Sequence, residues 1–342
     1  MKKFATLAGL AVISASAAAQ STVTLYGLLD VGVRDVKNGD LSVKSLSSNG
    51  NNTSRLGVKG TEELGDGLKA GFQLETGFTP DTGVQSDATR LWNRRATVSL
   101  FQKLGEVRLG RDYTVTYLGY YAYDVWSDIG LSGVAKFDSS LGTTRDTGVR
   151  ADNQIVYFTP EGLGGFYGQA GVAAGEGISG RKYSAGRAGY AAGRVDVSVT
   201  VGQTTVTPVA GDDKFKTIET GASYDFGPVK VSGYYQQLKF AALKATNIYI
   251  GAQVPVGRGL VRASYVNSNL SGKSAAGINT DPNDARQVAL GYLHNLSKRT
   301  AIYTNVVQVT NKGASAIAVD KNPTPLAGKN SAGVEVGVRH SF

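Results

Sequence analysis

The chain is 342 residues long, with no cysteine, two histidines and a formal net charge of +9. Without thiols it has no disulfide framework and no thiolate metal site. Its positive excess contains no run of five basic residues, whereas a nucleic-acid binder usually gathers its charge on one face or run.

Residues 1–19 read as a secretory signal peptide. Lys2 and Lys3 precede an apolar run over 4–15, and Ala17-Ala18-Ala19 supplies the cut site, with Gln20 first in the mature chain. Removing the two lysines lowers the net charge from +9 to +7. The run is too short to span a membrane, and no later segment approaches eighteen consecutive apolar residues. The protein is therefore expected to be exported and to have no transmembrane helix, which argues further against a nucleic-acid partner. Residues 20–342 contain no composition break and read as one domain.

About sixteen strand candidates follow in that domain, at 22–33, 55–62, 68–76, 94–102, 106–111, 150–158, 166–173, 182–191, 194–204, 217–225, 229–239, 246–254, 260–267, 286–295, 300–310 and 332–342. Several carry a period-two apolar stripe, such as Val195, Val197, Val199 and Val201, or Ile248, Ile250, Ala252 and Val254. Charged residues including Asp30, Lys59, Glu75, Glu219, Arg262, Glu335 and Arg339 lie out of phase with the stripes. Every even-numbered strand ends in a short turn, most of them rich in Gly or Pro, such as Leu64-Gly65-Asp66-Gly67. Odd-numbered strands are followed by longer polar loops. That segregation describes an outer-membrane barrel with turns in the periplasm and loops outside; a soluble all-β protein has no reason for it.

The last strand agrees. Val334, Val336 and Val338 alternate with Glu335, Gly337 and Arg339 up to Phe342. About ten residues tilted by about 45° cross the hydrocarbon layer. In lipid every backbone polar group is paired within the protein, so the first and last strands must meet. The expected fold is all-β, a sixteen-stranded antiparallel transmembrane β-barrel. Sixteen strands leave a lumen too wide for side chains to fill, hence a water-filled channel.

The chain resembles the general porins of Gram-negative bacteria, closest to their β-proteobacterial anion-selective branch. The carriers are Ser21-Thr22-Val23-Thr24-Leu25-Tyr26-Gly27, Ser54-Arg55-Leu56-Gly57-Val58-Lys59-Gly60, Gly105-Glu106-Val107-Arg108-Leu109-Gly110-Arg111, Leu296-Ser297-Lys298-Arg299-Thr300 and the closing Gly337-Val338-Arg339-His340-Ser341-Phe342. The resemblance implies a homotrimer, a third loop folded into the pore, and a terminal Phe342 that serves as an assembly signal for the barrel-assembly machinery. Outer-membrane lipid, lipopolysaccharide and small anionic solutes complete the expected partners.

Residues 112–149 form the longest connection and carry Tyr113, Tyr117, Tyr120, Tyr121, Tyr123 and Trp126. So many aromatics suit a loop packed against a wall, although an external cap or a subunit contact would also use them. Asp124, Asp128 and Asp138 are its candidate acids, and with Glu75 they form the expected acidic side of a constriction. Strand parity places a basic wall opposite. Arg55, Lys59, Arg95 and Arg150 face the lumen, with Arg94 replacing Arg95 if the strand is offset by one. The alternative is scattered, solvated charge on a wide lumen.

Enzymatic readings have little support. His294 and His340 lie near strand ends, and no serine is signalled opposite either. Gly175-Glu176-Gly177-Ile178-Ser179-Gly180 sits between two strands with no helix to cap a phosphate, so it reads as a loop. No cofactor and no metal site is expected. The primary expectation is a passive diffusion channel favouring anions; a substrate-specific porin, or an adhesin or receptor acting through its loops, is the alternative.

Overall fold

The computed structural model describes residues 22–342, and the expected signal peptide lies outside that range. Sixteen antiparallel barrel strands follow one another around a closed sheet. They are β1 (Thr22–Asn38), β2 (in two segments, Leu41–Ser48 and Arg55–Gly65), β3 (Leu68–Thr79), β4 (Arg95–Gln102), β5 (Gly105–Tyr113), β6 (Arg150–Phe158), β7 (Phe166–Ala173) and β8 (Lys182–Ala192). The second half comprises β9 (Val195–Val209), β10 (Asp212–Asp225), β11 (Lys230–Phe240), β12 (Leu243–Val256), β13 (Gly259–Gly272), β14 (Ala285–Asn295), β15 (Thr300–Asn311) and β16 (Ser331–Ser341). Closure is made by β1 and β16, in register from Leu28↔Ser341 to Asn38↔Ser331. One further backbone pair continues that ladder, Gly27 N–H to Phe342 O at 3.1 Å and the reverse at 3.0 Å.

The two faces of the wall separate as the alternation requires. Val334, Val336 and Val338 are 44–52% exposed on the outside, whereas Glu335 between them is 1% exposed on the inside. The same holds for Val197, Val199 and Val201, and for Ile248 and Ile250. The apolar band therefore lies on the outer surface, as a membrane-spanning barrel requires.

The loop pattern differs from expectation at three places. At the long-loop end, β1–β2, β9–β10 and β11–β12 are joined by two-residue turns, Gly39-Asp40, Ala210-Gly211 and Ala241-Ala242. Residues 31–38 pair with 41–48, and Thr205 and Val209 pair with Lys214 and Asp212 around a bulge, so these segments are ladder up to the turns. Their apolar stripe has ended because this part of the wall stands above the band, and polar residues on both faces look like loop to a periodicity argument. Gly39 and Gly211 adopt positive φ (+61° and +83°), which tight hairpins need.

β2 is interrupted at residues 49–54, which fold inward around Asp30. Its fully buried carboxylate accepts N–H groups of Gly50 (3.1 Å), Asn51 (3.1 Å) and Asn52 (2.7 Å) and the Tyr303 hydroxyl (2.6 Å). Four donors replace the water that this charge loses.

Candidate functional site

The connection between β5 and β6 runs through the lumen. Thr114 caps α1 (Val115–Tyr121) by accepting the Tyr117 N–H at 3.2 Å. The helix lies on β8, β9 and β10. A Cβ at Gly119 would collide with Glu219 and Thr200, so only glycine lets the helix approach this wall so closely. The chain then crosses the far wall. The Tyr123 hydroxyl bonds Asp196 (3.0 Å) and Ser198 (2.9 Å), and Val125 N–H donates to the Tyr249 hydroxyl (3.0 Å). Trp126 Nε1 donates to Ser264 (2.7 Å), and Gln287 reaches the Ser132 carbonyl (2.9 Å).

The expected aromatics make this packing. Tyr117, Tyr120, Tyr123, Trp126, Leu131 and Phe137 are buried in one cluster with Tyr234 and Tyr249, whose rings stack at 4.9 Å. An external cap is thereby ruled out. The loop covers the wall from β8 to β16 and leaves β2 to β6 facing open water.

The loop acids do not form the expected acidic side. Asp124 accepts the N–H groups of Trp126 (3.0 Å) and Asp128 (2.7 Å), Asp128 accepts that of Ala135 (2.5 Å), and Asp138 pairs with Arg145 (2.5 Å). All three hold turns of the loop, because a carboxylate taken from water in a packed segment must find donors there. Glu75 is also displaced from its expected place. It sits on the basic wall itself, directly across the ladder from Arg95 and Gly57.

On that wall Arg55, Arg94 and Arg95 converge. Glu75 accepts from Arg94 Nε at 2.6 Å and from the Tyr26 hydroxyl at 3.0 Å, with Arg55 Nε 3.7 Å away. Arg95 bonds Asp112 (2.8 Å) and Gln73 (2.6 Å). Arg94 and Arg95 therefore both point inward, because residue 94 lies just before the strand where alternation does not yet apply. Arg150 donates to the Arg94 carbonyl (2.9 Å), and its guanidinium lies 4.2 Å from the Tyr113 ring centre. Lys59 sits 5.6 Å from the Tyr26 ring centre. Among the described residues neither Arg150 nor Lys59 has a carboxylate partner.

Three more cations were not anticipated. Arg108 pairs with Glu106 (2.8 Å) and Asp112 (2.7 Å), Arg111 with Asp152 (2.6 Å), and Arg90 with Asp152 and Asp87 (3.2 Å each). The Thr89 hydroxyl and amide, aided by Arg90, hold the partly exposed Asp87 carboxyl down at about 2, so it stays anionic. Leu109 faces outward, so Arg108 was readable from parity. Arg111 was not. It keeps the phase of Leu109, opposite Ala96, and meets Asp152 where β6 carries one extra residue across from it.

Glu75, Asp112 and Asp152 are each shared by two arginines. Eight cationic side chains (Arg55, Lys59, Arg90, Arg94, Arg95, Arg108, Arg111 and Arg150) meet five carboxylates (Glu75, Asp87, Glu106, Asp112 and Asp152). The ion pairs fix the guanidinium groups in place and leave a net positive strip facing the water. Tyr26, Tyr113 and Tyr121 complete the open cavity around Arg55, Glu75, Arg94 and Arg95.

Comparison with known proteins agrees with the fold. The family model for Gram-negative porins matches residues 5–314. Outer membrane porin protein 32 of Delftia acidovorans is 40% identical over the full length of both chains. An outer membrane porin protein of Bordetella pertussis is 26% identical, with 97% of each chain covered. The solved structure of an anion-selective porin from Comamonas acidovorans superposes with a TM-score of 0.83 at 37% identity, covering 94% of this chain and 100% of that one.

Proposed function

This chain belongs to the Gram-negative porin family, and from that premise we propose that its outer-membrane diffusion channel prefers anions because of the strip between β2 and β6. The observation that carries the reading is the sharing of Glu75, Asp112 and Asp152 by two arginines each, with Arg150 and Lys59 unpaired by acid among the described residues. One unit charge about 5 Å from an ion is worth roughly 0.8 kcal/mol in water, and physiological salt about halves it. A tenfold preference needs about 1.4 kcal/mol, so it takes three or four arginines acting together. The preference should weaken with rising salt and persist at alkaline pH, since guanidinium keeps its proton. Reversal potentials under a salt gradient in planar bilayers test this; a cation preference would sink it.

The channel works as a homotrimer whose outward apolar faces meet lipid and lipopolysaccharide. Phe342 is the feature read by the assembly machinery. Its ring, 48% exposed, lies outside the barrel over Gly27, in phase with Val338. It buries little, so its deletion should cost far more heat-resistant trimer in the outer membrane than one lost contact explains. Unchanged trimer levels would leave it as an ordinary interfacial aromatic.

A further inference from the structure

Outside the channel, the upper wall carries a row of like charges. Lys216 on β10, Lys239 on β11 and Lys244 on β12 are directly opposite one another in the ladder, Lys216↔Lys239↔Lys244. All three are exposed and share the outward face with Ile218, Tyr235 and Ile248 on their own strands, so they stand just above the apolar band. At about 4.8 Å per strand their stems span about 10 Å. Like charges directly opposed across strands are destabilising. Among the described residues none of the three has a carboxylate partner, because the nearest acids are engaged. Asp213 pairs with Lys214 at 3.1 Å, and Asp212 accepts the backbone N–H groups of Lys214 (3.0 Å) and Ala241 (3.3 Å).

A second observation lies beside the row. The same line of paired residues continues through Gln203, Ser184, Val172 and Ile155. There it enters an open apolar groove on the outer wall, lined by Ile155, Tyr157, Val172, Val201 and Ile218 with Lys216 at its edge. The open space above Gly186, where a Cβ would meet only the Gln169 carbonyl at 3.9 Å, helps to form the groove.

We infer that Lys216, Lys239 and Lys244 bind the phosphate groups of an acylated glycolipid in the outer leaflet, with an acyl chain lying in the adjoining groove. Three ammonium groups at the boundary supply the point charges that a phosphomonoester needs, and the phosphate removes their mutual repulsion. The groove takes the apolar part of the same molecule. This gives a location to the reading of lipopolysaccharide as a partner and rests on it.

The test uses the mature protein in neutral detergent and three probes: bisphosphorylated lipid A, its dephosphorylated form, and inorganic phosphate. Retention is read by native mass spectrometry. Lys216→Gln, Lys239→Gln and Lys244→Gln combined should lower retention of bisphosphorylated lipid A at least tenfold. Binding of the dephosphorylated form, the heat-modified gel mobility of the folded barrel and the reversal potential should all stay the same, because the row faces away from the channel. Undiminished retention in the triple variant would overturn the assignment while leaving lipopolysaccharide as a partner bound elsewhere. Failure of the unaltered protein to retain any lipid would remove the partner reading itself. Equal competition by inorganic phosphate at the lipid's concentration would identify free phosphate as the ligand.

Discussion

The two halves of the lumen wall treat their carboxylates in opposite ways. Along the loop-covered half, the loop's own Asp124 and Asp128 are satisfied by backbone N–H groups and its Asp138 by one arginine, all within the loop. Along the bare half, Glu75, Asp112 and Asp152 each serve two arginines. Burial decides the difference. A charge under the loop has lost its water and must be neutralised or fully hydrogen-bonded nearby, whereas a charge facing water can be left in excess. On the proposed reading, selectivity belongs to the half that the loop leaves open, and the loop contributes by narrowing the path toward it.

The most severe way to break that contrast is to remove the excess. Arg55→Gln, Arg95→Gln and Arg150→Gln together should bring the anion-to-cation permeability ratio from about tenfold to near one, with the barrel still folded. A retained full preference would move the filter elsewhere on the lumen wall. Next comes unseating the loop. Trp126→Ala removes a buried indole and its bond to Ser264, a change of the kind that costs about 3–5 kcal/mol in a core. Single-channel conductance should rise and anion preference should fall, because ions pass farther from the arginines. Conductance equal to that of the unaltered protein would mean the loop does not set the width.

Smaller effects sharpen the comparison. Glu75→Gln releases Arg55 and Arg94 from their shared carboxylate and should raise anion preference about twofold, the worth of one screened charge. A lowered preference would show that Glu75 matters more for holding the arginines than for cancelling them. Asp124→Asn should leave the permeability ratio within error of the original and show itself only as lower thermal stability or noisier current. A marked selectivity change there would contradict the division between the two halves.

Much of the molecule was legible in its residues. The strand pattern, the facing of Arg55 and Lys59, and the inward loop with its aromatics all follow from period two and from the cost of exposed apolar surface. Other features depend on contacts between segments far apart in sequence. Glu75 joins the arginines because β3 lies between β2 and β4 in a particular register. Arg111 meets Asp152 because β6 carries one extra residue opposite it, and Arg94 points inward because it precedes its strand. The loop acids look like pore acids until the donors around them are seen.

The sequence alone determined that the chain is a barrel, which face of each strand points outward, and which segment fills the lumen, because alternation and turn chemistry are local properties. Which carboxylate meets which arginine, which half of the wall the loop covers, and hence where positive charge is left over were decided only by the tertiary structure. Those pairings depend on register and burial, where a shift of one residue reverses every side chain.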